Sequence, residues 1–564
     1  MKKYSLLLCF ISFFQIGYSQ SDLQVKNLAA FCKVWGFLKY YHPAVSKSNI
    51  DWDTVLTNNY PKVKDSKTKE EFNHILLSIA QRLGELKTIK NSFNHPDSLA
   101  INADFKWMDD TTILSSLVCN YLQRVKKNHK PFKNKYVGTY FWEGTTEIKE
   151  KPYPEMVYPN EAYRFLSLAR YWNIIDYYFP DKYLMDTNWN MSLERAIPIF
   201  INAPNQEEYY RAIEWITART DDSHATFVED PDKQSYLKYK VPPFAAFYHN
   251  DTLTIWYITS DYLANLFNIK KHDEIISING KSIKALWQDV RAHHSASNES
   301  FAHFGFDNGI IVSENDSSIL VILREGKIIR TTVRNYSGKE LMAMIKYDYS
   351  TYQKNSFKIK TDSVSGKKFG YIYMGLLKRK EINRIFRQMK GIDYLVIDNR
   401  DYPSSNIHAK LGNKLVKGRK YIASYTQPDY RYPGYLKYYE HPEIAPFSSK
   451  VGSKKNYYKG KVIILVDHST ASSAEYLTMV LQLAPNDVVI GTQTAGADGD
   501  IATVAFPGNY SANFTGLGWF YADGRQTQRV GIVPDIKVNY TTPFRPNRND
   551  PIMQRALEYI RNGK

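Results

Sequence analysis

The sequence predicts a multidomain α+β protein, and three observations carry that prediction. A helical pattern in the first half repeats at a fixed offset of 137 residues. From about Lys238 the pattern turns to short β-like runs bounded by turn signals. The remainder alternates buried strands with helices, the signature of a layered α/β domain. With 564 residues the chain has room for several domains, each with its own core. Hydrophobic residues at 43% and charged residues at 23% are near the averages for globular proteins, which excludes wholesale disorder.

Residues 1–20 read as a signal peptide. Lys2 and Lys3 supply a basic start, Leu6 to Ile16 an apolar stretch, and Tyr18-Ser19-Gln20-Ser21 a polar segment suited to cleavage. The chain is therefore expected to be exported, periplasmic or extracellular, and no later stretch has the ~20 apolar residues of a transmembrane segment. The formal charge of +17 is diffuse. Its densest runs, Lys126-Lys127-Asn128-His129-Lys130 and Lys378-Arg379-Lys380, are short solvated faces, so no nucleic-acid partner is expected. Cys32 and Cys119 remain after export; both lie in apolar helical patterns and read either as one disulfide or as two buried thiols. No Cys/His spacing suited to a metal occurs, and no cofactor motif is present.

Residues 21–236 hold the duplication. Trp35-Gly-Phe-Leu-Lys-Tyr-Tyr-His-Pro43 aligns with Trp172-Asn-Ile-Ile-Asp-Tyr-Tyr-Phe-Pro180, and the same offset carries Trp52 onto Trp189 and Arg82 onto Arg219. Each copy reads as a helix, a Tyr-Tyr-x-Pro stop, a Trp-containing turn and a second amphipathic helix. The copies part where that last helix ends. Copy one continues Leu83-Gly-Glu-Leu-Lys87, whereas copy two continues Thr220-Asp-Asp-Ser-His224. An imidazole flanked by two carboxylates and a hydroxyl at a helix end is a candidate for proton-transfer chemistry.

Residues 237–335 read as a β domain, with runs at Ala245–Tyr248, Leu253–Ile258 and Ile310–Val312, and a hairpin turning at Glu325-Gly326. Within it, Asn268-Ile-Lys-Lys-His-Asp-Glu-Ile-Ile-Ser-Ile-Asn-Gly-Lys-Ser282 resembles the PDZ pattern, with His272 where that pattern has Gly. PDZ domains take up an extended peptide, commonly its C-terminus, as an added strand.

Residues 336–564 supply strands at Phe369–Met374, Tyr394–Ile397, Lys461–Val466 and Val488–Ile490. Polar loops follow three of them: Asp398–Ser405, Asp467–Ser473 and Gly491–Gly499. In such sheets functional loops favour the carboxyl ends of strands. Ser469, Thr470, Ser472 and Ser473 stand before a helix, where one hydroxyl suffices as a cap and the first-turn N–H groups favour an oxyanion.

Taken together, the PDZ-like block, Ile397-Asp-Asn-Arg-Asp-Tyr-Pro-Ser-Ser405, Ser469-Thr-Ala-Ser-Ser-Ala-Glu475 with Gly491-Thr-Gln-Thr-Ala-Gly496, and Gly531-Ile-Val-Pro-Asp-Ile536 resemble the tail-specific (C-terminal processing) serine peptidases. Their relatives include the tricorn core protease and the interphotoreceptor retinoid-binding repeats. The resemblance implies a crotonase-like α/β catalytic domain and places the nucleophile on Ser472. The general-base Lys of the tail-specific branch would fall on Ala497, so a Ser/Lys dyad is absent. The tricorn-like branch implies His224 as base with Ser223 orienting it. That branch's orienting Glu falls on Gln528, and the two glycines of its oxyanion loop are Ser404 and Ser405.

The resemblance therefore implies an exported serine endopeptidase without metal or cofactor, acting on polypeptides. Ser472 would attack, His224 would carry the proton, Ser223 and Gln528 would orient the ring, and N–H groups at Ser473 and at Ser404 or Ser405 would hold the oxyanion. The polypeptide's C-terminus would dock on the PDZ-like domain. The Gln and Ser departures leave open an inactive relative that binds a peptide or ligand. No oligomeric state follows from the sequence.

Overall fold

The computed structural model describes residues 22–47, 49–84, 99–140, 144–228, 239–344, 355–404, 406–440, 450–538 and 550–563. The predicted signal peptide lies outside them.

The duplication is built as two triplets of helices: Asp22–Tyr41, Trp52–Asp65 and Lys69–Arg82, then Glu161–Tyr178, Trp189–Ile201 and Gln206–Ala218. Equivalent residues do equivalent work. Asp51 and Asn188 cap the second helices, and Thr68 and Asn205 cap the third, each accepting a first-turn N–H. In copy one the indoles exchange backbone bonds, Trp35 Nε1 to the Trp52 carbonyl at 2.9 Å and Trp52 Nε1 to the Trp35 carbonyl at 3.0 Å. Trp172 and Trp189 repeat the exchange at 2.9 and 3.0 Å. These clamps satisfy indole N–H groups that burial would otherwise strand.

The copies also meet at equivalent positions, which defines an approximate two-fold axis between them. The Tyr40 and Tyr177 rings meet edge to face at 5.3 Å. A side chain at Gly36 would come within 1.9 Å of Asn173 Oδ1, its own counterpart. Asn173 fills the space Gly36 leaves, donating to the carbonyls of Cys32 and Ala169 at 3.1 and 2.8 Å. Cys32 and Cys119 are buried free thiols.

The middle region is a sheet in the order Lys327–Arg334, Ser317–Arg324, Glu274–Ile278, Thr252–Ile258, Phe244–His249. Its hairpin turns at Glu325-Gly326, both with positive φ (49° and 76°). His272 adopts φ 70°, a left-handed backbone that the Gly of the PDZ pattern would adopt without strain. The run Ile310–Val312, expected as a strand, instead leaves the helix Glu299–Gly309 as a turn. Ile310 is apolar because it packs into the core of this sheet, not because it pairs.

The C-terminal region is built on a six-stranded sheet, ordered Phe357–Thr361, Lys368–Tyr373, Tyr394–Asp398, Lys461–Val466, Asp487–Gly491, Ile536–Lys537. The first pair is antiparallel and the rest are parallel. One face packs Ile372, Ile397 and Ile464 with the helices Ile382–Gln388, His408–Leu415 and Ser473–Leu481. The other packs Val396, Ile463 and Leu465 against Pro551–Asn562. Burial on both faces explains why these strands read as continuous apolar runs.

Besides two short two-stranded ribbons, two larger antiparallel assemblies are present among the described residues. Leu99–Ile101, Tyr435–Tyr439, Ala423–Pro428 and Gly518–Tyr521 form one sheet. The hairpin Ile501–Phe506/Tyr510–Thr515 takes Phe227–Val228 as a third strand, which ties the chain just after His224 to the C-terminal region. Among the described residues no helix is long and apolar enough to cross a membrane.

Candidate active site

Three loops at the carboxyl ends of parallel strands are laced together. Ser469 Oγ donates to the Arg400 carbonyl at 2.8 Å, and Thr470 Oγ1 to that of Asn399 at 3.1 Å. Asn399 Nδ2 reaches the Ala474 carbonyl and Thr478 Oγ1, both at 2.8 Å. Arg400 is held by Asp398 at 2.7 Å and Asp550 at 2.8 Å. Asp398 is buried, yet the Arg400 guanidinium and the Tyr371 hydroxyl outweigh that burial and hold its carboxyl below the usual range.

Ser472 stands at the tip of the strand-to-helix turn with φ 54° and ψ −124°. This is a strained backbone for a residue with a Cβ. Its N–H donates to the Ala497 carbonyl at 2.9 Å and to Glu475 Oε2 at 3.3 Å. The Glu475 carboxyl also accepts from the N–H of Gly496 at 2.8 Å and of Ala497 at 3.0 Å, and from the Thr494 hydroxyl. Burial pushes this carboxyl up to about 7 against those donors. Glu475 thus pins the 494–497 loop to the Ser472 turn, which accounts for a Glu at that motif position.

His224 approaches the same loop from copy two. Its Nδ1 lies 2.9 Å from Thr515 Oγ1, and Thr515 Oγ1 donates to Asp222 Oδ1 at 2.8 Å. Asp222, fully buried, also accepts from the N–H of His224 at 3.1 Å, the N–H of Thr515 at 2.7 Å and Gln528 Nε2 at 2.9 Å. The imidazole is therefore backed by a carboxylate through one hydroxyl. Burial lowers the His224 pKa and Asp222 partly restores it. A neutral imidazole is the form that accepts a proton. Ser472 Oγ and His224 share no hydrogen bond, and catalytic bonds of this kind commonly tighten only with substrate bound.

The other predicted residues fall in different places. Ser223, expected to orient the ring, instead donates from Oγ to the Ala495 carbonyl at 3.0 Å and accepts from the Ser297 N–H at 2.8 Å. It fastens copy two to the 494–497 loop, and Thr515 occupies the partner position at Nδ1. Gln528, also expected at the ring, bonds Asp222, with its Oε1 buried. Ser473 opens the helix Ser473–Leu481, so its N–H is a first-turn donor with no intrahelical acceptor. The Ser404 N–H, expected in the oxyanion hole, is directed to the Met374 carbonyl at 3.4 Å, and its hydroxyl to the Leu377 carbonyl at 2.7 Å. Ser405 lies outside the described residues.

Ser472, Ser473 and Ser404 border a cavity of about 340 Å³ with His408, Tyr476, Trp519 and Asp498. His408 Nε2 lies 3.1 Å from Ser473 Oγ, and burial lowers its pKa. No three His, Cys, Asp or Glu side chains are placed to hold a metal among the described residues. Sequence reasoning missed Thr515, which lies 291 residues from His224 on a strand without a motif. The acidic pair beside His224 pointed toward Asp222.

A serine hydroxyl on a strained strand-to-helix turn, with an imidazole backed by a buried carboxylate beside the same loop, is the equipment of a serine-type hydrolase. Residues 368–538 match the family model of Peptidase family S41, a family of serine-type peptidases. A Chlamydia muridarum (strain MoPn / Nigg) protein described as "Uncharacterized protein" is 27% identical over 130 residues, 22% of this chain and 19% of the relative. The match thus spans about a fifth of that curated relative. The solved structure of mature CPAF complexed with lactacystin is similar at 12% identity and TM-score 0.52, over 71% of this chain and 97% of that one. Mature CPAF alone aligns at 13% identity and TM-score 0.51, over 71% and 96%. These two likenesses are of fold.

Proposed function

We propose that the chain is an exported serine endopeptidase in which Ser472 attacks the scissile carbonyl and His224 carries the proton. Thr515 and Asp222 hold the ring, and Asp222 stabilises the imidazolium that forms as the hydroxyl proton is taken up. The Ser473 N–H donates to the oxyanion, a contribution typically worth about 10²–10³ in turnover per donor. His224 returns that proton to the leaving amine as the acyl-enzyme forms, then takes a proton from the water that attacks the acyl-enzyme and gives it back to Ser472 Oγ as the acid product leaves. The observation that carries this reading is the positive φ of Ser472, a non-glycine residue, at the mouth of the cavity. Glu475, Ala497 and the lacing of the neighbouring loops hold that backbone in place.

The region of residues 237–335 is read as PDZ-like, taking the substrate's C-terminus as an added strand on Phe244–His249. That strand closes one end of its sheet among the described residues. Export rests on the sequence of residues 1–20.

Hydrolysis of an unstructured polypeptide by the mature chain and by Ser472→Ala tests the proposal. Loss of cleavage together with loss of labelling by a serine-reactive phosphonate supports it. Equal cleavage by both proteins would remove Ser472 from the mechanism, and a folded wild type that neither cleaves nor labels would leave a binding protein.

A further inference from the structure

The lining of the cavity beside Ser472 contrasts with the basic balance of the chain as a whole. In a protein of formal charge +17, its described lining carries two carboxyl groups, Asp498 and Asp500, and no Lys or Arg. His408 adds no charge near neutral pH, because burial lowers its pKa. Tyr476 and Trp519 supply two aromatic walls, their rings 5.1 Å apart.

Asp498 is the group that needs explaining. It is 3% exposed, and its Oδ2 is buried without a hydrogen-bond partner among the described residues. A buried carboxyl oxygen left unpaired is costly, so its retention beside an open cavity calls for a donor that arrives from outside. Asp498 also follows Ala497, whose carbonyl accepts the Ser472 N–H at 2.9 Å. A side chain reaching Asp498 would therefore enter beside the Ser472 turn.

We infer that this cavity is a specificity pocket for a basic side chain, Arg or Lys, on the amino side of the scissile bond, with Asp498 as its anion. A guanidinium or ammonium would donate to Asp498 and lie against the aromatic walls, where a cation gains from the ring faces. Asp500, at the same cavity, adds a second negative charge. Burial, with Glu475 and Asp500 nearby, raises the Asp498 pKa, and an entering cation would favour its ionised form.

This inference rests on the peptidase reading, and the test separates the two. Matched fluorogenic peptides differing only at that residue, Arg against its neutral isostere citrulline and Lys against norleucine, are compared by kcat/KM. The wild type is expected to favour the cation of each pair by about tenfold or more, and the isosteric Asp498→Asn to bring both ratios to within about twofold of unity. A wild-type ratio near one, a preference for citrulline, or a ratio unchanged in Asp498→Asn would overturn the assignment, and the wild-type ratio needs no variant to fold. Independently, p-aminobenzamidine fluorescence is titrated into Ser472→Ala. Saturable binding lost in Ser472→Ala/Asp498→Asn supports the pocket even where no peptide is cleaved, which would sink only the peptidase reading. Absence of saturable binding to a folded Ser472→Ala protein overturns the pocket whatever the peptidase activity.

Discussion

The two helical copies share caps, indole clamps and a packing partner in each other, yet among the described residues it is the segment after copy two that bonds the 494–497 loop beside Ser472. Copy one leaves its third helix at Arg82 and runs into Leu83-Gly84. Copy two leaves at Arg219 and enters Asp221-Asp222-Ser223-His224, with Asp221 at φ 50° turning the chain. The two copies offer equivalent rigid helix ends, and they differ in the few residues that follow, which in copy two carry the proposed chemistry. Rigid elements carrying a loop of functional residues are the usual way a site gains precision.

The comparison is broken most severely at the imidazole. His224→Ala removes the proposed base from copy two and makes its end resemble copy one. Turnover of a peptide substrate is expected to fall by about 10³-fold or more, while the thermal midpoint stays within a few degrees of wild type. A variant that keeps a tenth of wild-type activity would show that copy two is scaffold only.

The contact between equivalent positions is the next largest lever. Gly36→Ala places a methyl 1.9 Å from Asn173 Oδ1, and overpacking of this kind typically costs about 1–3 kcal/mol. Asn173→Ala makes room at the price of two backbone-directed hydrogen bonds. The double variant is expected to be more stable than the sum of the single losses, by a coupling of about 1 kcal/mol in urea unfolding. Strict additivity would mean that the two copies do not pack across the two-fold axis.

Asp222 sharpens the comparison at the site itself. Asp222→Asn keeps the shape but removes the charge behind Thr515, so kcat/KM is expected to drop about tenfold or more. The pH profile should move with it. His224 must be neutral to act, so activity is lost as pH falls through its pKa; burial lowers that pKa and Asp222 raises it. Without Asp222 the acidic limb should move to lower pH. A limb that moves upward, or stays in place, would show that Asp222 does not sense the ring.

Much of this was legible in the sequence. The 137-residue offset exposed the duplication because the clamping Trp residues and the helix caps recur in register. The parallel sheet was legible because strands buried on both faces are uniformly apolar. Ile310–Val312 misled because burial at a helix end and burial in a strand select the same residues. At the site, local clusters pointed to Ser472 and His224, but the roles of Ser223, Gln528 and Thr515 depend on long-range pairing. Thr515 meets His224 because Phe227–Val228 joins the hairpin as a strand, and a two-residue strand leaves no periodicity to read.

Gln528 gives the smallest effect and the finest discrimination. From the sequence, a carboxylate at this position would face the ring, and Gln528→Glu would raise the acidic limb by favouring imidazolium. The structure puts Gln528 elsewhere: its Nε2 donates to Asp222 Oδ1 at 2.9 Å, in a fully buried setting. A carboxylate introduced here would stand against Asp222, and two carboxylates at that separation cannot both be ionised without heavy cost, so the pair keeps one proton. The new carboxyl group, protonated, would then donate to Asp222 as the amide does. Near the limb, the charge felt by His224 is unchanged, and the midpoint is expected to stay within about 0.3 pH units of wild type. Only at higher pH, where the shared proton leaves, should a further change appear, as a second inflection absent from the wild type. A limb raised by about one unit or more would show that the side chain at position 528 acts on the imidazole directly, and that the link through Thr515 and Asp222 is not what sets its charge.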